Sequence, residues 1–234
     1  MSSPAHAFGP LQHEYAPLRN KIIDALRRAI ETGDLKPGTR LVEKDLCQQL
    51  NVSRTSLREA LRQLQAEGLL VELFNRGLAV VEISPEDAAN ISRVRGVVEA
   101  LIVEQFVENA SDAEVGELRA QSEIVNEAYR YGDPDHIMTA KREFYSLICS
   151  GAGNAVALNI IENLTLLTSI LRRRSVVRKE RQKQSIVEIG KIVAAIRKRD
   201  KQAARAAAEL HVANAAKSAF IGADIKNKAK AKNE

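Results

Sequence analysis

The run at residues 51–70, NVSRTSLREALRQLQAEGLL, constrains this chain more than any other segment. Val52, Leu57, Ala60, Leu61 and Leu64 recur at helical spacing, so one face must pack on neighbouring elements. Ser53, Arg54, Thr55, Ser56 and Arg58 are left on the first turn facing outward. Free N–H groups and hydroxyls at a helix N-terminus accept phosphates, and arginine forks match the two acceptor atoms on the major-groove edge of guanine. The same residues also suit an ordinary surface helix capped by Ser53. The flanks narrow the choice. Upstream, Leu18, Ile22, Ile23, Leu26 and Ile30 form a helical stripe, GDLKPGTRL turns the chain, and EKDLCQQL reads as a second short helix. Downstream, Gly68 ends the third helix, and LLVELFNRGLAVVEI reads as two short strands around Asn75, Arg76 and Gly77. Helix, helix, turn, helix and hairpin is the order of a winged helix-turn-helix.

Beyond residue 83 the period stays helical. Ser84 caps a helix with Pro85 at its first position and Asp87 in the capping-box place, reaching to Asn109. Ser111 with Glu114 opens a helix to Tyr131, and Asp133 with Pro134 opens another that GAGN breaks after Ser150. Further helices are predicted over 154–174, 175–199 and 200–220, so the second half is a bundle of about six helices of roughly 15–25 residues. The predicted fold is mostly α: an N-terminal winged helix-turn-helix at 15–83, then an all-α helical bundle at 84–222. Residues 1–14 and the lysine-rich 223–234 are expected to be disordered.

Composition sets the bounds. With 234 residues, of which 45% are hydrophobic, the chain can bury two cores, and its formal charge of +5 is compatible with an anionic partner without demanding one. Cys47 and Cys149 lie in apolar helical contexts, which favours buried thiols and a reducing compartment. The chain carries no apolar run approaching the roughly 20 residues that span a bilayer, and its N-terminus lacks the order of a secretory signal. A cytoplasmic protein without membrane contact is expected. No nucleophile elbow, glycine-rich phosphate loop or CxxC pair is present, so no enzyme is expected.

GDLKPGTRLVEKDLCQQLNVSRTSLREALRQLQAEGLL followed by RGLAV resembles the DNA-binding domain of the GntR family of bacterial transcription regulators. The resemblance implies that Arg54 and Arg58 approach bases, that Lys44, Ser53, Thr55 and Ser56 hold phosphates or the groove wall, and that Arg76 and Gly77 enter the minor groove. Arg40 is a further candidate that could equally be a solvated charge. The second half is similar to the ligand-binding (FCD-type) domain of the FadR subfamily, on RGVVEALIVE, FYSLICSGAGN and AAIRKRDKQAARAAAELH. Many members of that subfamily bind a divalent metal through an aspartate or asparagine, a histidine four residues later, and two more histidines. Here those positions fall on Lys141, Tyr145, Ile189 and His211. Lysine is cationic and isoleucine has no donor atom, so no metal and no other cofactor is expected.

A lysine where a metal would sit keeps positive charge in place. The candidate effector site is therefore Arg95, Lys141, Tyr145, His211 and Asn214, holding a small anionic metabolite, a carboxylate. In the competing arrangement Lys141 lies on solvent, Arg95 pairs with Glu99 and Tyr145 is core. The basic run LRRRSVVRKERQKQ at 171–184 is open among a solvated face, an arginine of 172–174 turned inward, and a DNA contact. The expected protein is a homodimeric repressor binding a palindromic operator on double-stranded DNA. Its alternatives are a constitutive DNA-binding protein whose bundle only dimerises, and a metal-dependent regulator of the same family.

Overall fold

The computed structural model describes residues 16–74 and 77–220, and the chain divides into two compact units at 81/82. The expectations for 1–14, Arg76 and 223–234 lie outside the described residues.

The first unit is α1 (Ala16–Thr32), α2 (Glu43–Leu50), α3 (Arg54–Ala66), β1 (Leu70–Leu73) and β2 (Gly77–Val80). Ile22, Ile23, Leu26 and Ile30 from α1 share a core with Leu46, Leu57, Leu61 and Leu64; Leu18, from the same stripe, is instead 42% exposed. Asn51 ends α2 in the left-handed region at φ 51, a conformation asparagine tolerates better than most residues. That sharp turn sets α3 directly after α2. The antiparallel hairpin pairs Leu70 with Val80 and Leu73 with Gly77, and Arg40 bridges to Ala79 on its other edge. Gly77 opens β2 at φ +78, which a side chain would strain.

The second unit holds α4 (Pro85–Asn109), α5 (Asp112–Tyr131), α6 (Pro134–Gly151), α7 (Ala155–Leu167), α8 (Ser169–Val176), α9 (Lys179–Arg197) and α10 (Lys201–Phe220). The starts follow local chemistry. Ser84 accepts from the Asp87 amide, Ser111 and Glu114 form a reciprocal capping box, and Asp133 accepts from the His136 amide. The core runs through Ile102, Val103, Phe106, Leu118, Phe144, Ile148, Ile189 and Ile192. One expected helix is two. The segment at 154–174 breaks at Thr168, which leaves helical geometry at φ −100 and ψ 11 and whose buried hydroxyl donates to the Leu164 carbonyl at 2.9 Å, and α8 begins at the next residue. Such back-bonding by threonine bends a helix without the glycine or proline that would mark it in sequence. The bend matters because α8 carries Arg172.

Candidate functional site

On α3, Ser53 is the N-cap, accepting from the Ser56 amide at 3.2 Å. Ser53, Arg54, Thr55 and Arg58 are exposed, as are Lys44 on α2, Arg40 before it and Gly77 at the hairpin. Ser56 differs from the expectation: it is 6% exposed, with its hydroxyl 3.0 Å from that of Ser53. Ser56, the third position after the cap, lies beside Leu57 on the face of the first turn that meets the core. The Arg58 guanidinium is bound by Glu43, the first residue of α2, with Nε donating at 2.9 and 3.0 Å to its two oxygens. That bond is bifurcated from a single Nε–H, so Glu43 offsets the charge of Arg58 while the terminal amino groups of its guanidinium stay outside the contact.

In the bundle, a cavity is lined by Arg95, Lys141, Arg172 and Arg181 together with small or apolar residues such as Leu171, Val176, Ala215 and Ala219. Lys141 is 5% exposed, so the arrangement that put it on solvent does not hold. Arg95 does face Glu99, Nε to Oε1 at 2.8 Å, and both are buried. The approach is too oblique for a hydrogen bond, and Arg95 Nε and Glu99 Oε2 have no hydrogen-bond partner. Buried polar atoms left in that state are costly and await a partner. Of the run at 171–184, Arg172 and Arg181 line the cavity, whereas Arg173 pairs with Asp135 at the surface.

His211 is 1% exposed and joins two networks. Its Nε2 lies 3.1 Å from Lys141 Nζ and its Nδ1 2.8 Å from Glu188 Oε2. Arg181 Nη2, which can only donate, also lies 3.1 Å from Nδ1, but the Glu188 oxygen is nearer and can only accept, so Nδ1 carries the proton and Nε2 accepts from Lys141. Glu188 also receives Arg181 and, at 2.7 Å, the Asn214 amide. These contacts hold its carboxyl at about 2 although burial pushes it up. Burial pushes the His211 imidazole down to about 3, and the neighbouring Lys141 adds to the fall, so the ring is neutral at physiological pH. Burial, then Arg172 and Arg95, hold the Lys141 ammonium well below its ordinary range. Burial likewise lowers the Arg172 guanidinium to about 10. Tyr145 stands behind the cavity beside Glu99: burial, then the charge and hydrogen bond of that carboxylate, raise its phenol well above its usual value.

Of the five residues read from sequence, Arg95 and Lys141 line the cavity, while Tyr145, His211 and Asn214 support it from behind. Arg172 and Arg181 belong to the basic run left open in the sequence, whereas Ser185 and Glu188 were missed. Arg181, Ser185 and Glu188 recur at i, i+4 and i+7 on α9, a polar stripe on a helix that also buries Ile189, Ile192 and Val193. That stripe was the available signal. The metal-binding positions of the FadR-type resemblance do not suit a metal. Ile189 has no donor, and Lys141 Nζ takes up His211 Nε2. No group of three or more His, Cys, Asp or Glu side chains among the described residues is arranged to hold a metal ion.

A winged helix-turn-helix followed by a helical domain with a cationic internal cavity defines a one-component transcription regulator. The gntR family of bacterial regulatory proteins matches residues 18–80, and the FCD domain matches residues 90–214. The chain belongs to the GntR family, with an FCD effector domain, and is a regulator and not an enzyme. Among its relatives are the uncharacterized HTH-type transcriptional regulator YdhC of Bacillus subtilis (strain 168), 28% identical over 77% of this chain and 81% of that one. Another is the HTH-type transcriptional regulator McbR of Escherichia coli (strain K12), 30% identical over 67% and 70%. The solved structure of E. coli McbR/YncC shares the fold with a TM-score of 0.76 at 24% identity, over 87% of this chain and 97% of that one. No helix among the described residues is long and apolar enough to cross a membrane.

Proposed function

We propose that this protein is a homodimeric, cytoplasmic repressor of the FadR type that binds a palindromic operator and is released by a small carboxylate held in the bundle. Arg54 and Arg58 read bases, while Lys44, Ser53, Thr55, Arg40 and the wing residues Arg76 and Gly77 hold the backbone and the minor groove. Ser56 acts from beneath, through the cap. Repression asks least of the molecule, since occupancy of a promoter needs no contact with polymerase. The observation that carries the effector reading is the charge imbalance of the cavity. Among the described side chains, Arg95, Lys141, Arg172 and Arg181 face only Glu99 and Glu188 as carboxylates, and Lys141 and Arg172 lack an acidic partner in hydrogen-bond range. An anion relieves the desolvation of both and gains charge-assisted hydrogen bonds.

The test is thermal and functional together. Short organic acids are screened for a rise in melting temperature, and those that raise it are added to operator-bound protein. An acid that stabilises the protein should lower its operator affinity, and Arg172→Gln should lose both effects. Chelator should change neither. A protein that no organic acid stabilises, with operator affinity constant throughout, is the constitutive binder instead.

A further inference from the structure

Resting on the reading of the cavity as an anion site, we infer that Lys141 is a nucleophile and that the effector is a 2-oxo acid bound as a Schiff base on its Nζ. The geometry is that of an activated amine. Lys141 reaches the cavity from α6, and its Nζ lies 3.1 Å from His211 Nε2 on α10, while Glu188 on α9 fixes the opposite ring nitrogen at 2.8 Å. Nucleophile, base and orienting carboxylate thus stand in line. One N–H of the amine is anchored on His211, which leaves the nitrogen lone pair for the cavity.

The surroundings favour amine over ammonium. Arg95 on α4, Arg172 on α8 and Arg181 on α9 all act on Lys141 with like charge, and Glu99 on α4 is the carboxylate that opposes them. Glu188 is already taken by Arg181, His211 and Asn214. A lysine serving only as a point charge would gain nothing from that company. A lysine serving as a nucleophile is activated by cationic neighbours and by burial, which both lower its proton affinity. The same arginines provide the second half of recognition, since a guanidinium beside the amine places the carboxylate of a 2-oxo acid with its carbonyl carbon next to Nζ. Arg172 and the unsatisfied Nε of Arg95 are the groups placed to do so.

The step balances without redox change. The Nζ lone pair forms a C–N bond to the carbonyl carbon. As the carbonyl π pair moves to oxygen, His211 Nε2 takes one proton from nitrogen and passes it to that oxygen to give the carbinolamine, then relays the second nitrogen proton to the hydroxyl, which leaves as water. The imine remains, and hydrolysis reverses the sequence, as a sensor requires.

The experiment treats the full-length protein with glyoxylate, pyruvate, oxaloacetate or 2-oxoglutarate and cyanoborohydride, then maps modified lysines by peptide mass spectrometry. The matching 2-hydroxy acids, which cannot form an imine, are run beside them for thermal stabilisation. The expected result is a near-stoichiometric adduct on Lys141 with at least one oxo acid, suppressed by excess of its hydroxy analogue and missing in Lys141→Arg. Should that variant not fold, the map of the wild-type protein decides alone. Acids that raise the melting temperature without labelling Lys141, or label spread over surface lysines, overturn the inference and leave the anion site standing. Failure of both acid series to stabilise the protein removes the anion site as well.

Discussion

Lys141, His211 and Glu188, joined through the two ring nitrogens of His211, fix how the protein answers to acid. His211 falls from 6.5 to about 3 and Glu188 from 4.5 to about 2 on folding. In both cases the unfolded chain binds protons that the folded one refuses, so stability is lost as pH falls, through the interval between 6.5 and 3 for the histidine and between 4.5 and 2 for the carboxylate. Lys141, lowered from 10.5, has the same sign, and its contribution rises with pH until the unfolded amine also loses its proton. Urea midpoints measured from pH 4 to 7 should therefore climb with pH, and His211→Asn should flatten that climb; parallel curves would remove His211 as its source. Arg58 of α3 is screened by Glu43 of α2. Arg58→Ala should weaken operator binding on the order of tenfold to a hundredfold and relax preference at particular positions. Glu43→Gln should do the opposite of a lost contact: it frees a cation, strengthens binding to any duplex and steepens the dependence on salt. Binding to operator and scrambled DNA across a salt series separates the two.

At the scale of elements, what could be read from sequence was what neighbouring residues decide. Ser84 with Asp87, Ser111 with Glu114 and Asp133 with His136 each cap a helix within three residues, so those starts were legible. The α2–α3 turn was legible for the same reason, and so were Arg95 and Lys141, through their places in a familiar pattern. The α7–α8 break was not, because Thr168 bends the chain through a bond to Leu164 that a threonine in a straight helix can also make. Arg172 and Arg181 were left undecided with it: whether a basic residue on an amphipathic helix faces solvent or a cavity depends on what packs opposite, and no local rule supplies that. Helix contact also hides in Gly151, the last residue of α6. A Cβ there would stand 2.5 Å from Phe106 Cε2 and 3.3 Å from Ala110 Cβ on and just after α4. Gly151→Ala gains at most about 1 kcal/mol of helix propensity, and forcing Phe106 aside in a packed core costs typically 1–3 kcal/mol. The substitution should lower stability, as read by the urea midpoint, whereas Gly116→Ala on α5, where nothing lies within 4 Å, should not.

The molecule as a whole is proposed to work as a pair, and α4 bears the reason. Val94, Val97 and Leu101 recur at i, i+3 and i+7 and are 52%, 58% and 40% exposed. An apolar stripe of that period on a long helix is a surface a second copy can bury. A palindrome read by two identical heads needs them joined, because the second head then binds at the effective concentration set by the first and not at that of free protein. Effector and operator are coupled in the same terms: an acid that weakens DNA binding must itself bind more weakly to the DNA-bound protein, by the same factor. Val97→Glu places a charge in the middle of the stripe without touching α3 or the cavity lining. The full-length variant should sediment as a monomer at micromolar concentration where the wild type is a dimer. It should keep its response to cavity-binding acids in thermal melts and lose most of its operator affinity. A variant that remains dimeric moves the interface off α4, and a monomer with undiminished operator affinity would mean that one head suffices and that the two-fold operator is the wrong target.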